Sequence, residues 1–307
     1  MNTTQTSTWQ SKLRALGPGV LLASAAVGGS HIIASTQAGA IYGWQLGIII
    51  ILVNLFKYPF FRFGTQYTLD TGKSLLQGYK EEHPAYLWLF LLLNLFATVL
   101  NIAGVGLITA AILSLVAPGI SMDVLAGAIL GATLLLLITG RYNALDRLSK
   151  LVMIGLTAAT VAAVVISVAK GGTPPAPGFV APSPWKWDVK TVGFMIALMG
   201  WMPAPLEFSA INSIWVVVKR SLTPDVSYRD GLFDFHVGYI STAVLALFFM
   251  ALGALVQFGS GEVVEMAGAR YIAQLVTMYA RVIGEWSRYL VIFIAFMCMF
   301  GTTLTAV

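Results

Sequence analysis

Charged residues are scarce in this sequence: they make up 10% of its 307 positions, whereas hydrophobic residues make up 58%. A soluble protein usually carries about 25% charged residues, because its surface faces water. The mean hydropathy of +0.82 therefore excludes an ordinary soluble protein and predicts an integral membrane protein embedded in a lipid bilayer. The net charge of +5 is then explained by Lys and Arg in the connecting loops, and it indicates no nucleic-acid partner.

Cysteine and the common catalytic motifs are also nearly absent. Cys298 is the one cysteine, so the chain forms no internal disulfide or thiolate cluster, and its apolar neighbours predict a buried thiol. The sequence has no Walker-type glycine loop, no His-Glu-x-x-His and no nucleophile elbow. We therefore expect neither an ATP-driven pump nor an enzyme, and no bound cofactor.

Long apolar stretches are what the sequence does contain. A membrane-spanning helix needs about 20 mostly apolar residues. The stretches that meet or approach this length lie at 18–41, 44–61, 86–116, 124–139, 151–169, 192–218, 237–258 and 289–307. A proline-rich segment between the fifth and sixth stretches predicts an extended external linker. The predicted domains are thus a first repeat at 1–170, a linker at 171–190 and a partial second repeat at 191–307.

The orientation of these spans follows from their loops. Lys and Arg concentrate in the loops on one side, which predicts a cytoplasmic N-terminus, as in a bacterial inner-membrane protein. Five spans precede the linker, so the first and sixth spans run in opposite directions, as an inverted repeat requires. A repeat of five plus five helices needs ten spans, and we therefore expect further helices beyond the eighth.

The first span is interrupted by polar and flexible residues. Gly28 and Gly29 free the backbone, and Ser30 and His31 add a hydroxyl and an imidazole. A helix broken at this depth leaves backbone groups that lipid cannot satisfy. These groups must face a cavity or a ligand.

The sixth span is broken at the corresponding position. Pro203 and Pro205 lack N–H groups, so carbonyls about one turn earlier, near Met199 to Trp201, lose their donors and become candidate cation ligands. Met202 and Glu207 add a soft sulfur and a carboxylate. Two matching broken spans indicate the substrate site of a transporter.

A bound cation is the simplest partner for a buried carboxylate at Glu207. The sequence leaves other interpretations open: Glu207 could face a water-filled vestibule or pair with His31, and Met202 could be ordinary packing. The glycines could simply allow close helix contact. Asn94 and Asn101 lie on one face of the third span, and we expect them to form interhelical hydrogen bonds.

Three short motifs near the N-terminus resemble the Nramp family of divalent metal transporters. They are Gly-Pro-Gly at 17–19, Ser-Thr-Gln-Ala-Gly-Ala at 35–40 and Gly-Trp-Gln-Leu at 43–46. In that family the first helix is broken by Asp-Pro-Gly-Asn, nine positions before the glutamine. The resemblance is strongest over the first two spans.

The resemblance also shows where this chain departs from the family. Gly28 stands where the family has its metal-binding aspartate, and His31 stands where it has asparagine. Met202 matches the metal-contacting methionine of the sixth helix, whereas Ala204 replaces the family's histidine. In the third helix, 97–102 lacks both acidic residues associated with proton movement.

The resemblance implies an all-α, LeuT-type inverted five-helix repeat with broken first and sixth helices, truncated here in the eighth helix. It further implies a secondary transporter of divalent cations of the manganese, iron or magnesium class that is not coupled to protons. It leaves the oligomeric state open. The expected metal-site residues are Met202, Glu207, His31, Ser30, Gly28 and Met199.

Two other functions remain open from the sequence. The first is a transporter of a small organic cation or amino acid, in which Trp201 and Phe208 would supply a cation–π wall. The second is a non-transporting membrane sensor that signals through a partner.

Overall fold

A computed structural model describes residues 8–139, 142–224 and 226–306, and these residues form helices and no strand. The helices are α1 (Trp9–Ala15), α2 (Pro18–Ala26), α3 (Thr36–Tyr42), α4 (Gly47–Thr71), α5 (Leu75–Glu82), α6 (Pro84–Ser114), α7 (Met122–Thr139), α8 (Tyr142–Ala169), α9 (Val189–Trp201), α10 (Phe208–Leu222), α11 (Tyr228–Val256), α12 (Gly268–Ile283) and α13 (Ser287–Ala306). The expectation of an all-helical protein is confirmed.

Several of these helices are suited to cross a membrane. Within the described residues, five helices (α4, α6, α7, α11 and α13) are long and apolar enough to span it, and α2 with the segment Ser30–Tyr42 forms a sixth span bent by 54°. The predicted spans at 151–169 and 192–218 correspond to α8 and to the α9–α10 pair, which is interrupted at 202–207. The protein is a multi-pass membrane protein.

The first broken span contains a π-helical turn. Residues Ser30–Ser35 form this turn between α2 and α3. Such turns widen the helix by one residue and are frequent at functional sites. Here the turn follows directly on Gly28 and Gly29, so the break lies at the predicted position.

The sequence did not predict α12. Its buried face includes Tyr271, Leu275 and Tyr279, whereas Arg270 and Arg281 are exposed. The strongly amphipathic pattern predicts a helix lying against other helices and not a lipid-facing span. Hydropathy alone therefore misses it.

Helix α11 is the element on which both halves of the first broken span pack. Gly19 of α2 lies against Gly238, because a Cβ on Gly238 would meet the Gly19 carbonyl oxygen at 2.0 Å. The carboxylate of Asp234 accepts hydrogen bonds from the backbone N–H groups of Gly17 at 2.9 Å and Gly19 at 2.6 Å. It thereby satisfies donors that the amino end of a helix leaves free.

The proline-rich linker packs against the carboxyl end of α11. The N–H of Thr173 donates to the Leu255 carbonyl oxygen at 2.8 Å, and the N–H of Ala176 donates to that of Gly259 at 2.7 Å. Phe179 of the linker also meets Phe258 edge-to-face, with 5.1 Å between the ring centroids. The segment is therefore an ordered connection between α8 and α9.

Candidate functional site

The two breaks meet at one small cavity. Its volume is about 50 Å³, which is room for about three to five water molecules at the 10–15 Å³ that each needs. The described residues that line it are Ala25, Ala26, Gly28, Gly29, Ser30, Asn101, Val105, Trp201, Pro205, Phe208 and Thr302. None of these is charged. Of the expected metal-site residues, the cavity contains Gly28 and Ser30.

Close contacts across the cavity explain its glycines. A Cβ on Gly28 would lie 2.8 Å from Thr302 Oγ1, and a Cβ on Gly29 would lie 3.2 Å from the ring of Trp201. An aspartate at position 28, as in the resembled family, would therefore displace Thr302. Gly28, which has no side chain, therefore allows α13 to pack closely against the break.

His31 is fully buried and does not line the cavity. Its Nε2 lies 3.0 Å from the carbonyl oxygen of Thr242 on α11, and its Nδ1 lies 2.8 Å from Ser30 Oγ. A carbonyl can only accept, so Nε2 carries a hydrogen and donates it. The Ser30 hydroxyl, which also lies 3.0 Å from the Ala26 carbonyl oxygen, is the polar link between His31 and the cavity.

Glu207 lines a second, larger cavity, which we call the vestibule. The vestibule has a volume of about 380 Å³, and its described lining residues are Phe60, Tyr79, Phe90, Leu93, Asn94, Ala97, Leu206, Glu207 and Ser209. Glu207 is the one charged residue among them. The structure therefore matches one of the interpretations that the sequence left open for Glu207: its carboxylate faces a vestibule.

One face of α6 connects the vestibule with the cavity. Asn94 and Ala97 line the vestibule, and Asn101 and Val105 line the cavity. Residues three and four apart share one side of a helix, so these positions form a continuous stripe. Among the described residues neither asparagine side chain has a hydrogen-bond partner, so the expected interhelical hydrogen bonds are not seen there; both amides line cavities instead.

The two methionines lie away from the cavity. Met202 is fully buried in an apolar cluster that includes Ala38, Leu198 and Met250, whereas the side chain of Met199 is exposed. In the part of the chain that is described, no group of three or more His, Cys, Asp or Glu side chains could hold a metal ion. The six expected metal-site residues therefore do not all lie together in one site.

The carbonyls that the second break leaves without a backbone donor accept hydrogen bonds from a side chain of another helix. Lys57 of α4 directs its ammonium group at this break, and its Nζ donates to the carbonyl oxygens of Met199 at 2.8 Å and Gly200 at 2.7 Å. These are the carbonyls that the sequence suggested as cation ligands. Lys57 lies inside α4, which runs from Gly47 to Thr71.

Comparison with known proteins identifies a relative of this chain. No family model matches the chain. The uncharacterized protein PM0681 of Pasteurella multocida (strain Pm70) is 61% identical over 305 residues, which cover 98% of this chain and 70% of the relative. The chain belongs to the PM0681 family.

One residue that lines the cavity of this PM0681-family protein, Thr302 of α13, was not predicted from the sequence. Cys298 is buried as predicted, but its contact with the carbonyl oxygen of Val27, with 2.8 Å between sulfur and oxygen, was not. Both depend on the way that α13 packs against the first break, which no local pattern encodes. A signal for Lys57 was present, because a lysine between Phe56 and Phe60 is unusual in an apolar run.

Proposed function

We propose that this PM0681-family protein is a secondary transporter that moves a small cation across the membrane by alternating access. The cavity between the two breaks is its substrate site, and the vestibule is one approach to that site. The observation that carries the proposal is that both broken helices line the same cavity. Broken helices whose ends face a common midplane site are typical of secondary transporters.

The backbone at the breaks supports a polar substrate. Lipid offers no hydrogen bonds, so irregular backbone at membrane depth persists only beside protein or a water-filled space. α2 ends at Ala26 and α9 ends at Trp201, and both residues line the cavity. The carboxyl end of α2 therefore contributes negative potential there, which favours a cation.

The side chains support the same sign of charge. Glu207 attracts cations into the vestibule, and the stripe on α6 leads from there to the cavity. Ser30, Asn101 and Thr302 then offer neutral oxygen ligands. Such ligands hold an ion weakly and leave it partly hydrated, as magnesium prefers.

Divalent metals of the manganese, iron or magnesium class are the first cargo of this proposal, on the strength of the Nramp resemblance. The same resemblance supports an inverted five-helix repeat and flux that is not coupled to protons. The distribution of Lys and Arg over the loops supports a cytoplasmic N-terminus in a bacterial inner membrane. The third helix, α6, has neutral residues from Ala97 to Ile102, where the family carries its acidic proton-linked residues.

Uptake into sealed liposomes tests the proposal. Wild-type protein is expected to give saturable entry of manganese or magnesium, with no matching change of internal pH. Glu207→Gln removes the vestibule charge at constant size and should lower uptake at low cation concentration by about tenfold, because a local charge of this kind concentrates cations by 10–10³-fold. The matched control is Glu82→Gln, since Glu82 is exposed on α5. Equal uptake by both variants would contradict the role of the vestibule.

A small organic cation is the second candidate, and one observation favours it. Trp201 and Phe208 both line the cavity, where they offer ring faces to an ammonium group. The small volume of the cavity, about 50 Å³, favours a small cation such as methylammonium. Methylammonium uptake that is lost in Trp201→Leu, together with no metal uptake by wild type, would favour this candidate over divalent metals.

A further inference from the structure

The ammonium group of Lys57 lies among three backbone carbonyls at the second break. Its Nζ is 2.8 Å from the carbonyl oxygen of Met199, 2.7 Å from that of Gly200 and 3.3 Å from that of Ala204. A lysine ammonium has three hydrogens and no lone pair. The three carbonyls therefore match its complete set of donors.

The sequence of the break explains why these carbonyls are free. In an uninterrupted helix the Met199 carbonyl would accept from residue 203, but Pro203 has no N–H. The Gly200 carbonyl would accept from Ala204, but α9 ends at Trp201. The carboxyl end of α9 thus presents oxygens that carry the negative end of the helix dipole.

Lys57 carries a charged group inside a membrane-spanning helix. It lies inside α4, which runs from Gly47 to Thr71 through apolar sequence, and its side chain is half-buried. A charge at this depth is costly unless it is paired or solvated. The three carbonyl oxygens are the partners that offset this cost.

The geometry points to Lys57 as a tethered cation that fills a monovalent-cation site built by the second break. Sodium or ammonium ions would make the same carbonyl contacts if the lysine side chain were absent. Because the ammonium group is covalently attached, the site is filled without an ion from solution. If the protein is a transporter as proposed, transport needs no monovalent co-ion at this position. The assignment of the site rests on its geometry and holds without that function.

Removing the ammonium group while keeping the stem tests this inference. Lys57→Met should lower the melting temperature of the purified protein in detergent, and sodium or ammonium chloride should restore it saturably, compared with choline chloride at equal ionic strength. Saturable recovery is the signature of a ligand that binds the folded state. Wild type should show no such difference between the salts. The control is Lys80→Met, which removes an exposed lysine of α5.

A second variant supplies the charge chemically, in case Lys57→Met does not survive purification. Lys57→Cys is treated in membranes with aminoethyl methanethiosulfonate, which restores a positive side chain, or with methyl methanethiosulfonate, which adds a neutral one. The native Cys298 is buried and should not react. Recovery of thermal stability with the charged reagent alone supports the inference. Equal melting of the two adducts, or no discrimination between sodium, ammonium and choline, would overturn it.

Uptake assays on the same variants separate this inference from the proposed function. If sodium or ammonium restores stability but no variant and no wild type transports a cation, the tethered cation stands and the transporter proposal fails. If wild type transports a cation and Lys57→Met shows no ion-specific recovery, the transporter proposal stands and the tethered cation fails. With both correct, uptake by Lys57→Met becomes dependent on sodium or ammonium, whereas uptake by Lys57→Arg does not.

Discussion

Gly39 of α3 and Gly253 of α11 lie where the backbones of these two helices touch. A Cβ on Gly39 would be 1.9 Å from the carbonyl oxygen of Met250, and a Cβ on Gly253 would be 2.1 Å from that of Thr36. Gly19 and Gly238 make a similar contact between α2 and α11. Both halves of the first broken span are thus held to one helix, and we expect them to move with α11.

Alanine at either glycine of the crossing should separate the helices. Gly253→Ala forces its methyl group into a backbone oxygen, and overpacking of this kind costs about 1–3 kcal/mol or more. The expected result is a lower melting temperature and reduced uptake. Differential scanning fluorimetry on detergent-solubilised protein provides the first readout.

Gly131→Ala is the control for this prediction, because a Cβ added to Gly131 of α7 would meet no atom within 4 Å. Alanine there should be neutral or stabilise the helix by up to about 1 kcal/mol. Equal melting temperatures for Gly253→Ala and Gly131→Ala would show that the two backbones are not in contact.

Truncation of Met202 should weaken packing and not metal selectivity. Its side chain is fully buried in the cluster with Ala38, Leu198 and Met250, and Met→Ala changes in such sites cost about 2–5 kcal/mol. The structure therefore predicts a lower melting temperature and the same fractional loss of manganese, cadmium and magnesium uptake. A selective loss of manganese and cadmium would instead place the sulfur in the ion path.

The charge of the vestibule can be measured by thiol labelling. Asn94→Cys places a thiol in the vestibule with Glu207, so a cationic methanethiosulfonate should react about tenfold faster than an anionic one, because the carboxylate concentrates cations locally. The wild-type protein is a suitable background, since Cys298 is buried and should remain unlabelled.

Two comparisons complete the labelling experiment. Adding Glu207→Gln to Asn94→Cys should abolish the preference for the cationic reagent. Val180→Cys, at an exposed position of the linker between α8 and α9, should react without charge preference. Rapid labelling of Cys298 in the wild type, or a preference that survives Glu207→Gln, would contradict the assigned geometry.

Much of the fold could be predicted from the sequence because hydropathy and helix breakers act locally. The apolar stretches identified the long helices, and Gly28, Gly29, Pro203 and Pro205 identified the two breaks. The amphipathic α12 and the continuation of α4 beyond residue 61 were missed, since polar residues on one helix face lower the mean hydropathy of a window.

The composition of the site could be predicted only in part. Gly28 and Ser30 do line the cavity, but the backbone direction turns His31 toward Thr242 and buries Met202 among apolar side chains. Lys57 reaches the second break from another helix, α4. This contact depends on how α4 and α9 pack together in the folded protein. Sequence patterns locate a break, but they do not say which distant side chain satisfies it.

The most direct test of the account is cation uptake by liposomes that contain a variant with a blocked cavity. Asn101→Phe would fill the cavity from α6, whereas Leu100→Phe adds similar bulk at the neighbouring, exposed position. Manganese, magnesium and methylammonium are compared for these variants and wild type. The account predicts saturable uptake of at least one cation by wild type and by Leu100→Phe, with a loss of about tenfold or more in Asn101→Phe, because a substrate excluded from its site cannot reach the transition state for transport. Equal uptake by both variants, or no uptake of any of these cations by correctly inserted wild-type protein, would contradict it.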